Sequence, residues 1–138
     1  MRRYLLTCLV FIVFACDPSN QAENVALSEP TYAYLQEVTD QYGFDSVKVQ
    51  ISKSPDDTFT LSVDFLDRDQ LKDEILEDRE LLNEVVNKIL LELDATKMNT
   101  LAYVFVSASK DPGRFFLNHG QGSVVQYVVI NGRAVRTG

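Results

Sequence analysis

Two stretches of this chain alternate apolar and polar residues with a period of two. In SVKVQIS, residues 46–52, Val47, Val49 and Ile51 alternate with Lys48 and Gln50; in TFTLSVDF, residues 58–65, Phe59, Leu61, Val63 and Phe65 alternate with Thr60, Ser62 and Asp64. That period puts the apolar side chains on one side of two extended strands, and KSPDD between them is a five-residue turn containing proline. A hairpin with one apolar and one polar face needs a covering layer on the apolar side only. The chain is thereby constrained to a sheet with something packed against one face.

The cover is supplied further along. From Asp67 the spacing lengthens, and Leu71, Ile75, Leu82, Val86, Ile89 and Leu93 keep one side of a helix that runs to Asp94, with EDRE at 77–80 as the point where it begins or kinks. Each such side chain contributes about 1.5–3 kcal/mol when buried, so this stripe is the largest block of apolar burial the sequence offers. A shorter helix over 30–42 starts at Ser28-Glu29-Pro30, presents Leu35, Val38 and Tyr42, and stops at Gly43.

Leu101 to Ser107 is apolar at both parities, the pattern of a central strand. Asp111-Pro112-Gly113 turns the chain, Phe115 to Leu117 adds a short strand, and Val124 to Ile130 a strong one. Asn131-Gly132 then signals a type I′ hairpin, with Arg133 to Arg136 returning. The expected fold is α+β: an antiparallel sheet of about four to five strands, one long helix packed on one face, and a short N-terminal helix.

The first sixteen residues carry a different message. Arg2 and Arg3 precede YLLTCLVFIVFA, and the run ends abruptly at Cys16, followed by Asp17-Pro18. From Leu5 to Cys16 a helix would extend roughly 18 Å, too short for a hydrocarbon core of ~30 Å, so the layout is that of an export signal. Val13-Phe14-Ala15 before Cys16 resembles the lipobox of a bacterial lipoprotein signal, with Val13 and Phe14 where leucine and a smaller residue are commoner. The resemblance implies that Cys16 is lipidated and becomes the mature N-terminus, and that the protein is anchored in a bacterial cell envelope, facing the periplasm or exterior. The expected organisation is a signal peptide over 1–15, a lipidated cysteine and flexible tether over 16–29, and one α+β domain over 30–138.

From Cys16 onward eleven bases face twenty acids, a balance of −9. Such a surface repels phosphate backbones, which sets nucleic acid aside as a partner. The acids are unevenly spread: nineteen lie in residues 17–94, and only Asp111 lies in residues 95–138, alongside five bases. With Cys8 removed in the signal and Cys16 acylated, no disulfide is available, and packing alone must hold the domain.

Every candidate for chemistry has a plainer structural reading. His119, the only histidine, sits in NHGQGS, where it could pair with Ser123 or Ser107, but there is no Gly-x-Ser-x-Gly elbow and no third member. Gly120-Gln121-Gly122 precedes a strand pattern, whereas phosphate cradles precede a helix. Asp64, Asp67, Asp69 and Asp73, extended backward by Asp56 and Asp57, are the densest carboxylate group, yet they lack the glycine and terminal glutamate of a calcium loop. Tyr32, Tyr34, Tyr42 and Phe44 form either an aromatic surface or core packing. No catalytic, cofactor-binding or metal-ligating residue is assigned, and Cys16 is the one modification site. What remains is a binding module that engages another envelope protein or polymer through its sheet face or edge. The alternatives are a small envelope hydrolase using carboxylates or His119, and an inhibitor or immunity-type lipoprotein whose acidic surface blocks a basic partner.

Overall fold

The computed structural model describes residues 22–67, 74–109 and 122–137. Six strands form one mixed sheet in sequence order: β1 (Glu23–Asn24), β2 (Ser46–Lys53), β3 (Phe59–Leu66), β4 (Leu101–Ser109), β5 (Gly122–Ile130) and β6 (Arg133–Thr137). Three α-helices accompany it, α1 (Glu29–Tyr42), α2 (Arg79–Leu90) and α3 (Ala95–Thr100), with a 3₁₀ turn at Glu74–Glu77.

The alternation in β2 and β3 acts as expected: Val49, Ile51, Leu61, Val63 and Phe65 are buried on one face. The two strands pair antiparallel from Ser46↔Leu66 to Lys53↔Phe59. Their turn is closed by the Ser54 N–H donating to the Thr58 carbonyl at 2.8 Å, with Asp57 at φ 65°. At the other end of the chain, Asn131 and Gly132 take φ values of 51° and 74°, the two left-handed residues a type I′ turn requires. Ile130↔Arg133 begins the β5–β6 ladder beyond it.

Two expectations are corrected. The sheet has six strands and is mixed, because β3 and β4 run parallel from Phe59↔Leu101 to Leu66↔Ser109. The long helix is shorter than expected among the described residues: Asp78, within the EDRE where it was expected to begin or kink, accepts from the Leu81 N–H at 3.1 Å and starts α2, which ends at Leu90, and Asp94 accepts from the Lys97 N–H at 2.8 Å and starts α3. Aspartate satisfies the free amides of a helix start better than it serves a helix interior, so EDRE begins a helix there. Ile75, Leu82, Val86 and Ile89 are buried as the spacing requires, joined by Leu76, Val85 and Leu90. Within the segment read as a tether, residues 22–29 are described. Glu23 and Asn24 pair with Ile51 and Gln50, the Val25 N–H donates to the Val49 carbonyl at 3.0 Å, and Val25 and Leu27 pack against the core. Leu71, Asp111-Pro112-Gly113 and the strand expected over 115–117 lie outside the described residues.

The core is one cluster between the sheet and its helices. Leu35 and Val38 of α1 and Leu82, Val85, Val86 and Ile89 of α2 meet Leu61, Val63, Phe65, Val104, Val106, Val125 and Tyr127 from alternate positions of the central strands. Helix α1 ends at Gly43, φ 71°, whose N–H donates to the Asp40 carbonyl at 3.2 Å. Its start is held from outside. Ser28 makes no side-chain bond to the helix amides; its hydroxyl donates to Glu92 Oε1, the Thr31 hydroxyl donates to the same oxygen at 2.6 Å, and the Ser28 N–H donates to Oε2 at 3.2 Å. A carboxylate from beyond α2 thus sits at the positive end of α1.

Leu82→Ala should cost about 2–5 kcal/mol in urea unfolding, because a fully buried side chain leaves a cavity between α2 and the sheet. The Ser28 and Thr31 hydroxyls hold Glu92 below the usual carboxylate range. A depressed acid stabilises above its unfolded pKa, and that contribution disappears as pH falls through the folded one. Urea midpoints should therefore favour the native chain over Glu92→Gln at neutral pH and converge at low pH; a constant gap across pH would refute the anchoring role.

Candidate functional site

With both major helices on one face, the other face of the sheet is laid out by strand register. One row across it reads Asn24, Gln50, Ser62, Phe105, Gln126, Thr137, one residue from each strand. The next reads Ser52, Thr60, Tyr103, Val128, Val135. On the other side of the first row lie Lys48, Asp64, Ser107 and Val124, then Ser46, Leu66, Ser109 and Gly122. Ile130 and Arg133 complete the corner beside the hairpin turn.

This face has two halves. β1 to β3 present amides and hydroxyls together with Lys48, whereas β4 to β6 present Tyr103, Phe105, Val124, Val128, Ile130 and Val135. Tyr103 is 41% exposed, Val124 and Val135 51% each, and Ile130 55%, so these side chains meet solvent. No aspartate or glutamate occurs anywhere in β4, β5 or β6. Tyr103 and Phe105, two apart on β4, hold their ring centroids 6.3 Å apart with planes inclined by 30°.

One end of the face is closed. Asp64 and Ser107, partners across the parallel pair, are both buried, and the Ser107 hydroxyl donates to Asp64 Oδ1. Burial pushes the Asp64 carboxyl above its ordinary value, while the Ser107 hydroxyl and the charge of Lys48 pull it back only in part. Asp67 and Ser109 are buried at the same end, with the Asp67 N–H donating to the Ser109 carbonyl at 3.0 Å. Ser107 has no exposed surface, so no substrate atom reaches its oxygen in this conformation. The pair pins two central strands together by a buried polar contact.

Ser107 and Ser123 project to opposite faces, since Ser107 lies opposite Val124 while Ser123 lies opposite Ala108 of the buried set. They cannot serve one nucleophilic site. Asp56 accepts from the Thr58 hydroxyl at 2.7 Å and Asp57 pairs with Lys53 at 3.1 Å, both in the β2–β3 turn. Most of β3 separates them from Asp64, roughly 17 Å from Phe59 at about 3.3 Å per residue. His119, Gly120, Gln121, Asp69, Asp73 and Cys16 lie outside the described residues. Among the described residues, no three His, Cys, Asp or Glu side chains converge to hold a metal, and no helix is long and apolar enough to cross a membrane.

The four N-terminal aromatics do not share a surface. Tyr32 is exposed, whereas Phe44 packs in the core with its ring centroid 5.4 Å from that of Phe65. Tyr34 lies under the Lys88 ammonium, 4.8 Å from its ring centroid, and burial with Glu84 beside it pushes the phenol up to about 12. Tyr42 donates to Asp78 at 3.0 Å. Among the described residues, recesses at the rims of the sheet include one of about 340 Å³ between Val25, Tyr32 and Val47 and one of about 390 Å³ beside Met98, Val129 and Gly132.

Comparison with known protein families, with curated proteins and with solved structures finds no match to this chain. The functional reading therefore rests on the face itself. Sequence patterning placed Asp64 on the polar side of β3 and Ser107 at the end of a strand, but did not pair them, because the parallel register that does so is set by the crossover. The outward position of Tyr103 and Phe105 was hidden for a related reason: LAYVFVS is apolar on both parities.

Asp64 supplies a pH test. An acid whose folded pKa lies above its unfolded value loses stability as pH climbs from the ordinary carboxylate range through the raised one. The stability of the native chain minus that of Asp64→Asn, measured by urea unfolding, should decline from acid to neutral pH; a flat difference would contradict the burial argument. Ser107→Ala should cost about 1–3 kcal/mol at neutral pH by stranding a buried carboxylate oxygen.

Proposed function

We propose that this chain is a lipid-anchored module of a bacterial cell envelope, tethered through Cys16, that acts by binding another envelope protein or polymer on the open face of its sheet. The observation that carries the binding role is the uncovered apolar half of that face. A small domain without disulfides that leaves Tyr103, Val124, Ile130 and Val135 in water forgoes burial it needs, and contiguous exposed apolar surface of this kind marks interaction sites. The anchor rests on the resemblance of residues 1–16 to a lipoprotein signal. With β1 already paired to β2, five residues, 17–21, separate Cys16 from Ala22, a span of about 20 Å at full extension. The partner is thus met close to the bilayer. The hydrolase alternative needs carboxylates or His119 facing a cleft; Asp64 and Asp67 are buried, and His119, Asp69 and Asp73 lie outside the described residues.

Two measurements test the reading separately. Cys16→Ser should abolish incorporation of labelled palmitate and leave unprocessed precursor; persistent labelling refutes the anchor. A photoreactive amino acid placed at Val124 or Val135 should give a discrete adduct in living cells, while the same group at Asn83, on the exposed side of α2, should not. Val135→Asp should reduce the adduct by about tenfold, the loss expected from putting a charge into an apolar contact of ~1.4 kcal/mol. Equal adducts from both sides would refute the open face as the site.

A further inference from the structure

We propose that the ligand of the open face is a polysaccharide chain, uncharged or weakly anionic, whose sugar rings lie on Tyr103 and Phe105. This rests on the open face being the binding surface and names the chemistry of what it binds. Tyr103 and Phe105 stand side by side in the middle of the face, on the fourth of six strands. With centroids 6.3 Å apart and planes inclined by 30°, the two rings are the aromatic platform of this proposal. Such a surface suits the flat C–H faces of pyranose rings, which are apolar above and below and polar around the edge.

The groups around the platform match that edge. Phe105 is the one apolar side chain in its row; Ser62 and Gln50 flank it on one side and Gln126 on the other. Amides and hydroxyls both donate and accept, as sugar hydroxyls and acetamido groups do. An apolar protein patch laid over this row would leave Ser62 and Gln126 unsatisfied in a dry interface, at a cost. A glycan brings a hydroxyl to each.

Charge points the same way. The two central rows contain no ionised side chain; Lys48 and Arg133 stand beyond them, and the one carboxyl on this face, Asp64, is buried. Among the described residues no acid stands in these two rows, a surface that admits a neutral or anionic polymer. Shape agrees as well. Tyr103, 41% exposed, and the exposed Val124 and Val135 around Phe105 give an extended chain several contacts along the strand rows.

The test uses the full-length protein, extracted from membranes in detergent. Amide chemical shifts are followed during titration with chitohexaose and cellohexaose, alongside the corresponding disaccharides, and co-sedimentation with insoluble cell-wall polysaccharide is measured in parallel. The expected result is binding by at least one hexasaccharide, tighter than its disaccharide, with shifts centred on residues 103–105, 62 and 126. Tyr103→Ala should weaken it about tenfold, in line with the loss of one ring contact. Gln126→Ala provides a second, less disruptive variant and should weaken the same interaction. Absence of binding across the panel and the polysaccharide by a folded protein overturns the proposal, as do shifts confined to the helices. If binding is absent while a protein adduct forms at Val124 or Val135 in cells, the glycan reading falls and the binding-face reading stands; if both are absent, both fall.

Discussion

Parallel neighbours in a sheet cannot be joined by a tight hairpin, and the pairing of β3 with β4 therefore governs the rest of this molecule. Residues 67–100 must carry the chain from the end of one strand back to the start of the other, and α2 and α3 lie in that crossover. A crossover passes over one face. Once α2 occupies that face, α1 joins it there, Leu35 and Val38 share the cluster with Leu82 and Ile89, and on the opposite face Tyr103, Val124, Ile130 and Val135 stay exposed. The asymmetry of the sheet comes from one strand direction.

The same pairing explains the two characters of the open face. At the carboxyl ends of β3 and β4 the parallel register sets Asp64 against Ser107, and a buried hydrogen bond forms where an apolar contact would otherwise sit. Removing either partner leaves the other unsatisfied, so the pair penalises any slip of one strand along the other. Farther along β4, Phe105 and Tyr103 occupy the same face but meet Ser62 and Thr60 across the pair, and remain partly open to water. The pinned end fixes the register of the strand that carries the aromatic platform.

Strand alternation in β2 and β3, the stop at Gly43 and the turn at Asn131-Gly132 were legible because each depends on a local rule of period or backbone conformation. The helix boundary at Asp78 was half legible, since EDRE marked a discontinuity without saying that an aspartate would cap the helix beginning at Arg79. Strand direction was not legible at all. LAYVFVS indicates a strand buried on both sides, and nothing in its composition distinguishes a parallel neighbour from an antiparallel one. β1 escaped notice because two residues show no period, and its order derives from Val25 and Leu27 packing beneath it. Long-range pairing, unlike local pattern, is written in the connection and the core together.

The Glu92 carboxylate has a mechanical meaning. Any pull entering through residues before Ala22 first loads the two-residue ladder of β1 and then reaches Ser28 and Thr31, where three hydrogen bonds to Glu92 join the chain to the far end of α2. The short ladder yields before the helix layer is disturbed, so the fold carries a sacrificial first link ahead of a firmer clasp, and slack can be let out without unravelling the core.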